Sequence, residues 1–160
     1  MTNPTLQVRL ARLAPGADVL FVYGTLRFPR ILSALLGRVP TGTPAVVSGW
    51  RAAALQDRPY PGLVEAPDGR ATGLLLAGLS VREWRILDGF EGDEYDLRKL
   101  PLDGPLHDGT PGTGWAYTWE SPDLARPEDW DADAFAAGVL DAYAARLEAA
   151  KVSPAPEGTG

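Results

Sequence analysis

The stretch Asp88-Gly89-Phe90-Glu91-Gly92-Asp93-Glu94-Tyr95 is dense in carboxylates, and helical phase separates one of them from the others. A solvated acidic turn is the plain reading, because Asp and Glu side chains are mostly exposed. Glu91, however, lies seven residues after Trp84 and four after Leu87, so a helix begun at Ser80 carries all three on one apolar face. There the charged form of a carboxyl is disfavoured and its pKa rises. That suits a group that takes and returns a proton near neutral pH. Gly89 is where such a helix stops if it stops early.

A second candidate is the turn Tyr23-Gly24-Thr25-Leu26, at the end of a buried strand and just ahead of a helix. Turns of this kind aim backbone N–H groups at a common point, where a carboxylate or a developing oxyanion can sit. An ordinary strand-to-helix connection is the plainer reading of the same four residues. Other chemistries lack their parts. The single histidine, His107, sits in Leu106-His107-Asp108-Gly109 and reads as an exposed loop residue. The lack of cysteine excludes thiol nucleophiles, zinc ribbons and iron–sulfur clusters, and with one histidine and no Gly-x-Ser-x-Gly a serine hydrolase is disfavoured. Gly109 to Gly114 is glycine-rich, but Pro111 and the strand after it make it a connector, and neither a Walker loop nor a dinucleotide fingerprint occurs.

The elements that must position these residues follow from the pattern. Val19-Leu20-Phe21-Val22 is a short apolar, β-prone run expected of a buried strand. Pro29 opens a helix with Ile31, Leu32, Leu35 and Leu36 as its stripe, and Gly37 ends it. Ala45 to Val47, Trp50 to Leu55, Leu63-Val64 and Thr72 to Ala77 read as four strands, broken at Asp57-Arg58-Pro59, Pro61-Gly62 and Pro67-Asp68-Gly69. Ser80-Val81-Arg82-Glu83 is a capping box, starting a helix that runs to about 88–91. Tyr95 to Leu102 and Trp115 to Trp119 read as strands. Phe135, Val139, Tyr143 and Leu147 recur every four residues and give the last helix one apolar face. The expected fold class is α+β, with a mixed sheet or small β-barrel and flanking helices.

At 160 residues the chain fits a single domain, drawn at 18–150 between a flexible lead-in at 1–17 and a disordered tail at 151–160. The net charge of -6 and scattered basic residues argue against a nucleic-acid partner. No apolar run is long enough to span a bilayer. Arg9 and Arg12 lie among apolar residues near the start, but Asp18 and the lack of a long apolar core speak against a signal peptide. The expected setting is cytoplasmic, without metal or cofactor, as a monomer or weak homodimer.

In order along the chain, Phe21-Val22-Tyr23-Gly24-Thr25-Leu26, Tyr60-Pro61-Gly62-Leu63-Val64, Leu87 to Tyr95 and Ala116-Tyr117-Thr118-Trp119 resemble the gamma-glutamylcyclotransferase-like family. The likeness is greatest to its branch related to plant avirulence-induced-gene proteins and covers roughly Val19 to Leu147. Leu35-Leu36-Gly37-Arg38, Pro44-Ala45 and Asp129-Trp130 fit that branch as well. The resemblance implies a small barrel with a cavity at one end. It implies Glu91 as the catalytic acid/base, the amides of Tyr23, Gly24, Thr25 and Leu26 as substrate holders, and Tyr117 near the cavity. The implied reaction closes a small-molecule γ-glutamyl substrate to 5-oxoproline and releases an amine; a non-catalytic binding or regulatory domain that keeps the cavity is the alternative. One position departs from the pattern. Leu97 stands where members often carry arginine, and Arg98, one residue on, faces the other side of a strand unless a bulge intervenes.

Overall fold

The computed structural model describes residues 9–14, 18–103 and 112–152. Its strands are β1 (Leu20–Val22), β2 (Gly42–Leu55), β3 (Gly62–Leu76), β4 (Tyr95–Pro101), β5 (Thr113–Trp119) and β6 (Ala125–Asp129). Among the described residues the complete helices are α1 (Pro29–Leu36), α2 (Val81–Glu91), α3 (Ala132–Gly138) and α4 (Leu140–Val152), with short 3-10 turns at Thr25–Arg27 and Pro122–Leu124, and residues 9 and 10 are also helical. None of the described helices is long and apolar enough to cross a membrane.

The strands form one mixed sheet in the order β4-β5-β1-β3-β2-β6. β1 runs antiparallel to β3 and parallel to β5. The four short strands expected between Thr41 and Ala77 are two long ones, paired antiparallel from Gly42↔Leu76 to Ala53↔Gly62. The turn signal Pro67-Asp68-Gly69 does not end a strand. The register shifts between Ser48 and Trp50, so that residues 66–69 are taken up as a bulge opposite Gly49. A bulge bends the strand that carries it, and the far half of the hairpin swings round until Leu63 pairs with Thr118 of β5. The sheet thereby curls into a half-barrel.

Alternation along the strands sorts the core into two parts. Leu20, Val22, Trp115, Tyr117 and Trp119 face the helices and pack with Ile31, Leu32, Trp84, Leu87 and Ala144. Val19, Phe21, Tyr23 and Ala116 point the other way, into the curl, against Val47, Leu63, Ala71 and Leu75. Each fully buried large side chain contributes about 1.5–3 kcal/mol.

α1 begins with Pro29 in its first turn and stops at Gly37, which is left-handed at φ 79°. α2 starts at the expected capping box. Glu83 N–H donates to Ser80 Oγ at 3.1 Å, and Ser80 N–H donates to Glu83 Oε1 at 3.0 Å. Arg38 donates to the same Glu83 carboxylate at 2.7 Å, and its hydrogen bonds hold that carboxyl down at about 2. Ser80→Ala is expected to lower stability by about 1 kcal/mol, read from urea unfolding. A change below about 0.3 kcal/mol would mean that the cap does not limit this helix.

Three expectations are corrected. The last helix is not continuous: Val139 leaves helical geometry at φ -127°, dividing α3 from α4. Gly138 is a poor helix former, and the two halves serve different neighbours. Phe135 packs on Phe28 and Trp130, whereas Ala144 is buried in the main core. In the segment read as a flexible lead-in, Arg9 is 1% exposed, and Leu10 and Leu13 pack on the core. Residues 151 and 152, assigned to the tail, continue α4, while 153–160 and His107 lie outside the described residues.

Candidate active site

A half-open cavity of about 200 Å³ lies where the end of β1, the end of α2, the start of β4 and α4 converge. Its wall includes Tyr23, Gly24, Thr25, Leu26, Glu91 and Tyr117, so all six residues singled out from the sequence border one space.

Glu91 reaches the cavity because α2 does not stop at Gly89. The helix runs through Glu91 and ends at Gly92, whose φ of 77° suits a residue without a side chain. Trp84 and Leu87, the residues that set the phase, are buried at 1% and 0% exposure. Glu91 is half-buried, with its free surface bordering the cavity. Burial raises its pKa to about 8; the nearby Arg9 charge pulls it down and Asp88 pushes it up. Burial also keeps the phenols of Tyr23, Tyr95 and Tyr117 well above the ordinary tyrosine value. Those hydroxyls stay protonated, whereas the Glu91 carboxyl is shifted to near neutrality, and burial raises neighbouring Asp88 as well.

The Tyr23 side chain is committed to the fold. Its hydroxyl donates to the Tyr117 carbonyl at 2.5 Å and accepts from Leu63 N–H at 3.2 Å, bridging β5 and β3 where the sheet curls shut. What this stretch offers a ligand is its backbone. Gly24 leads into the 3-10 turn, whose first amides have no carbonyl to donate to within the turn. Tyr117 donates its hydroxyl to Asp88 Oδ1 at 2.7 Å.

Sequence reasoning passed over several groups here. Asp88, 1% exposed, receives the Arg9 guanidinium and the Tyr117 hydroxyl on Oδ1. The phase argument that selected Glu91 also selects Asp88, four residues after Trp84. At the mouth, Glu94 accepts from Arg58 at 2.6 Å and from the Tyr60 hydroxyl at 3.2 Å. Tyr95 donates to the Pro61 carbonyl at 2.6 Å, while Phe90 and Tyr143 line the cavity edge to face. Tyr143 was visible only as part of an apolar stripe.

A family described as gamma-glutamyl cyclotransferase, AIG2-like matches residues 20–132. The chain belongs to this family. Among curated Arabidopsis thaliana proteins, AIG2-like protein C is 42% identical over 83 residues, 52% of this chain and 48% of that protein. Protein AIG2 C is 32% identical over 82 residues, 51% of this chain and 50% of its own length. The match thus spans about half the length of these curated relatives. The fold is shared more widely. A solution structure of an Arabidopsis thaliana protein superposes with a TM-score of 0.61 at 24% identity, covering 92% of this chain and 90% of the other. A second, also from Arabidopsis thaliana, gives 0.58 at 22%, covering 87% and 94%.

Within this AIG2-like cyclotransferase family member, the departure at position 97 has a clear structural form. Leu97 is fully buried and pairs with Tyr117 across an unbroken β4–β5 register. No bulge turns Arg98 inward; it is exposed, lying over Trp50 and near Glu120.

Proposed function

We propose that the protein closes γ-glutamyl compounds to 5-oxoproline, expelling the amine or amino acid held on the γ-carbonyl. The observation that carries this reading is that Glu91, displaced to about 8, and the Gly24–Leu26 backbone turn line the same cavity. The substrate's α-amine attacks its own γ-carbonyl carbon, forming the ring C–N bond. The carbonyl electrons move onto oxygen, where the turn's N–H groups steady the negative charge. Glu91 takes the proton lost by the attacking nitrogen. The γ-carbon bond to the leaving nitrogen then breaks, and Glu91 delivers its proton there, so one carboxyl serves both steps. Nucleophile and electrophile share one molecule, so a cavity that fixes the reactive conformer removes several kcal/mol of barrier. The absence of cysteine is in keeping with a reducing, cytoplasmic setting. The activity needs only the small molecule, with neither nucleic acid nor membrane, and a monomer or weak homodimer suffices.

A panel of γ-glutamyl amines and γ-glutamyl amino acids is expected to yield 5-oxoproline, measured by mass spectrometry. Glu91 accepts a proton only when ionised. The rate at low substrate concentration therefore falls as pH drops below about 8. No product from any member of the panel would sink the proposal.

A second reading, a binding or regulatory domain without turnover, is favoured by one observation. Among the described residues the cavity wall contains no Lys, Arg or His side chain, and buried Leu97 adds none, so a substrate carboxylate relies on backbone amides and the hydroxyls of Thr25, Tyr60 and Tyr143. This reading expects saturable heat on titration with the same compounds and no 5-oxoproline.

A further inference from the structure

Arg9 is a fully buried cation, and its guanidinium spends every donor it has. Nε and Nη2 donate to Asp88 Oδ1 at 3.1 and 2.8 Å, and Nη2 also donates to the Asp88 carbonyl at 3.2 Å. Nη1 donates to the Gly92 carbonyl at 2.7 Å and to the Tyr95 carbonyl. The five N–H groups of the fork are thereby matched, and its central carbon lies 5.3 Å from the centre of the Tyr117 ring. The three carbonyls bracket the turn that joins α2 to β4. Two belong to the last turn of the helix and its cap, the Asp88 carbonyl accepting from Gly92 N–H as well, and the third opens the strand. Glu91 and Glu94 both sit on this stretch.

We propose that Arg9 is a positioning residue for Glu91: the segment ahead of β1 reaches back to α2, and its guanidinium pins the turn so that the Glu91 carboxyl faces the cavity. This rests on Glu91 being the proton carrier. Chain ahead of the first strand is then part of the working site. Lysine cannot replace the arginine fully, because a single ammonium offers three donors where five contacts exist.

The charge matters as well as the grip. Burial drives the Glu91 pKa up and Arg9 draws it back, against the opposing push of Asp88. Among the described residues the other titratable groups round the cavity are Tyr23 just after β1, Tyr60 and Glu94 at the mouth, Tyr95 on β4, Tyr117 on β5 and Tyr143 on α4. Of these, the phenols of Tyr23, Tyr95 and Tyr117 remain neutral through the working pH range, so loss of Arg9 shifts the Glu91 titration upward.

The test compares Arg9→Ala and Arg9→Lys with the wild-type chain. The Glu91 carboxyl is titrated by carbon-13 NMR, its signal assigned by its loss in Glu91→Gln, and turnover of the γ-glutamyl panel is measured alongside. Arg9→Ala is expected to move the Glu91 midpoint to higher pH and to cut kcat about 10–100-fold, as loss of a supporting contact does, with KM nearly unchanged. Guanidinium ion at low millimolar concentration is expected to restore part of both, by refilling the vacated site. An unmoved Glu91 midpoint, with kcat falling only as the folded fraction falls and no rescue by guanidinium, would overturn the proposal. If Arg9→Ala does not fold, Arg9→Lys carries the same readouts, with intermediate values expected. If the wild-type chain turns nothing over, the cyclotransferase reading fails on its own, while the NMR midpoint still tests the hold of Arg9 on Glu91.

Discussion

Glu91→Gln is expected to reduce kcat for ring closure by on the order of 10³-fold while leaving the fold intact. General acid–base assistance is worth roughly 10²–10⁴-fold, and here one carboxyl serves both the attacking and the departing nitrogen. The amide side chain has nearly the same shape, so the cavity keeps its form and substrate still binds; the loss belongs in kcat, with KM close to the wild-type value. Stability gives a check independent of turnover. The folded pKa of about 8 lies above the ordinary glutamate value of 4.5. Between those values the folded chain keeps a proton that the unfolded chain has released. Its stability is therefore full below pH 4.5 and is lost as pH rises through 8, by at most about 1.4 kcal/mol per pH unit. Water entering the half-open cavity reduces that slope. The amide of the Glu91→Gln variant does not titrate, so the slope difference between variant and wild type, measured by urea unfolding from about pH 5 to 8, isolates this one group. Undiminished turnover in Glu91→Gln would remove Glu91 from the chemistry, and identical slopes would remove it from the buried, protonated state.

Gly73→Ala is expected to cost about 3 kcal/mol, the upper end for overpacking, enough to lower the melting temperature by about 10 °C or to prevent folding. An added Cβ would stand 2.1 Å from the Val22 carbonyl oxygen and 3.0 Å from its carbon, and these are backbone atoms that cannot swing aside. Val22 pairs with Leu74 in the β1–β3 ladder, one residue before Tyr23, so the same clash pushes the cavity-lining turn outward. The contrasting substitution is Gly89→Ala. It lies in α2 with nothing within 4 Å of a new Cβ, and alanine there gains roughly 0.5–1 kcal/mol. The same added methyl group therefore has opposite signs at two positions. Thermal unfolding of both variants checks this, and a melting temperature for Gly73→Ala within about 2 °C of wild type would mean that β1 and β3 are not so closely apposed.

What could be read from the chain was what short-range physics fixes. The capping box at Ser80 and Glu83 closes its hydrogen bonds within three residues, so it identifies the start of α2 without reference to the rest of the molecule. The helical period then carries Glu91 onto the face of Trp84 and Leu87. Pro29 and Gly37 bound α1 for equally local reasons. The order of short motifs sufficed for the family, and with it an α+β fold of small-barrel type with flanking helices.

Tertiary contacts decided the remainder. Proline and glycine at 67–69 signal a turn locally, but pairing with β2 on both sides absorbs them as a bulge, and that bulge curls the sheet. Gly138 and the separate demands of Phe135 and Ala144 divide a helix whose four-residue period reads straight through. Arg9 has no local reason to be buried; its partners at Asp88, Gly92 and Tyr95 lie 79 to 86 residues away in sequence. The Tyr23 hydroxyl is likewise taken up by β3 and β5. The sequence alone set which residues could share a helix face or end a turn, because those rules act over a few peptide units. Which of them share a cavity depends on contacts between distant segments, and only folding brings those segments together.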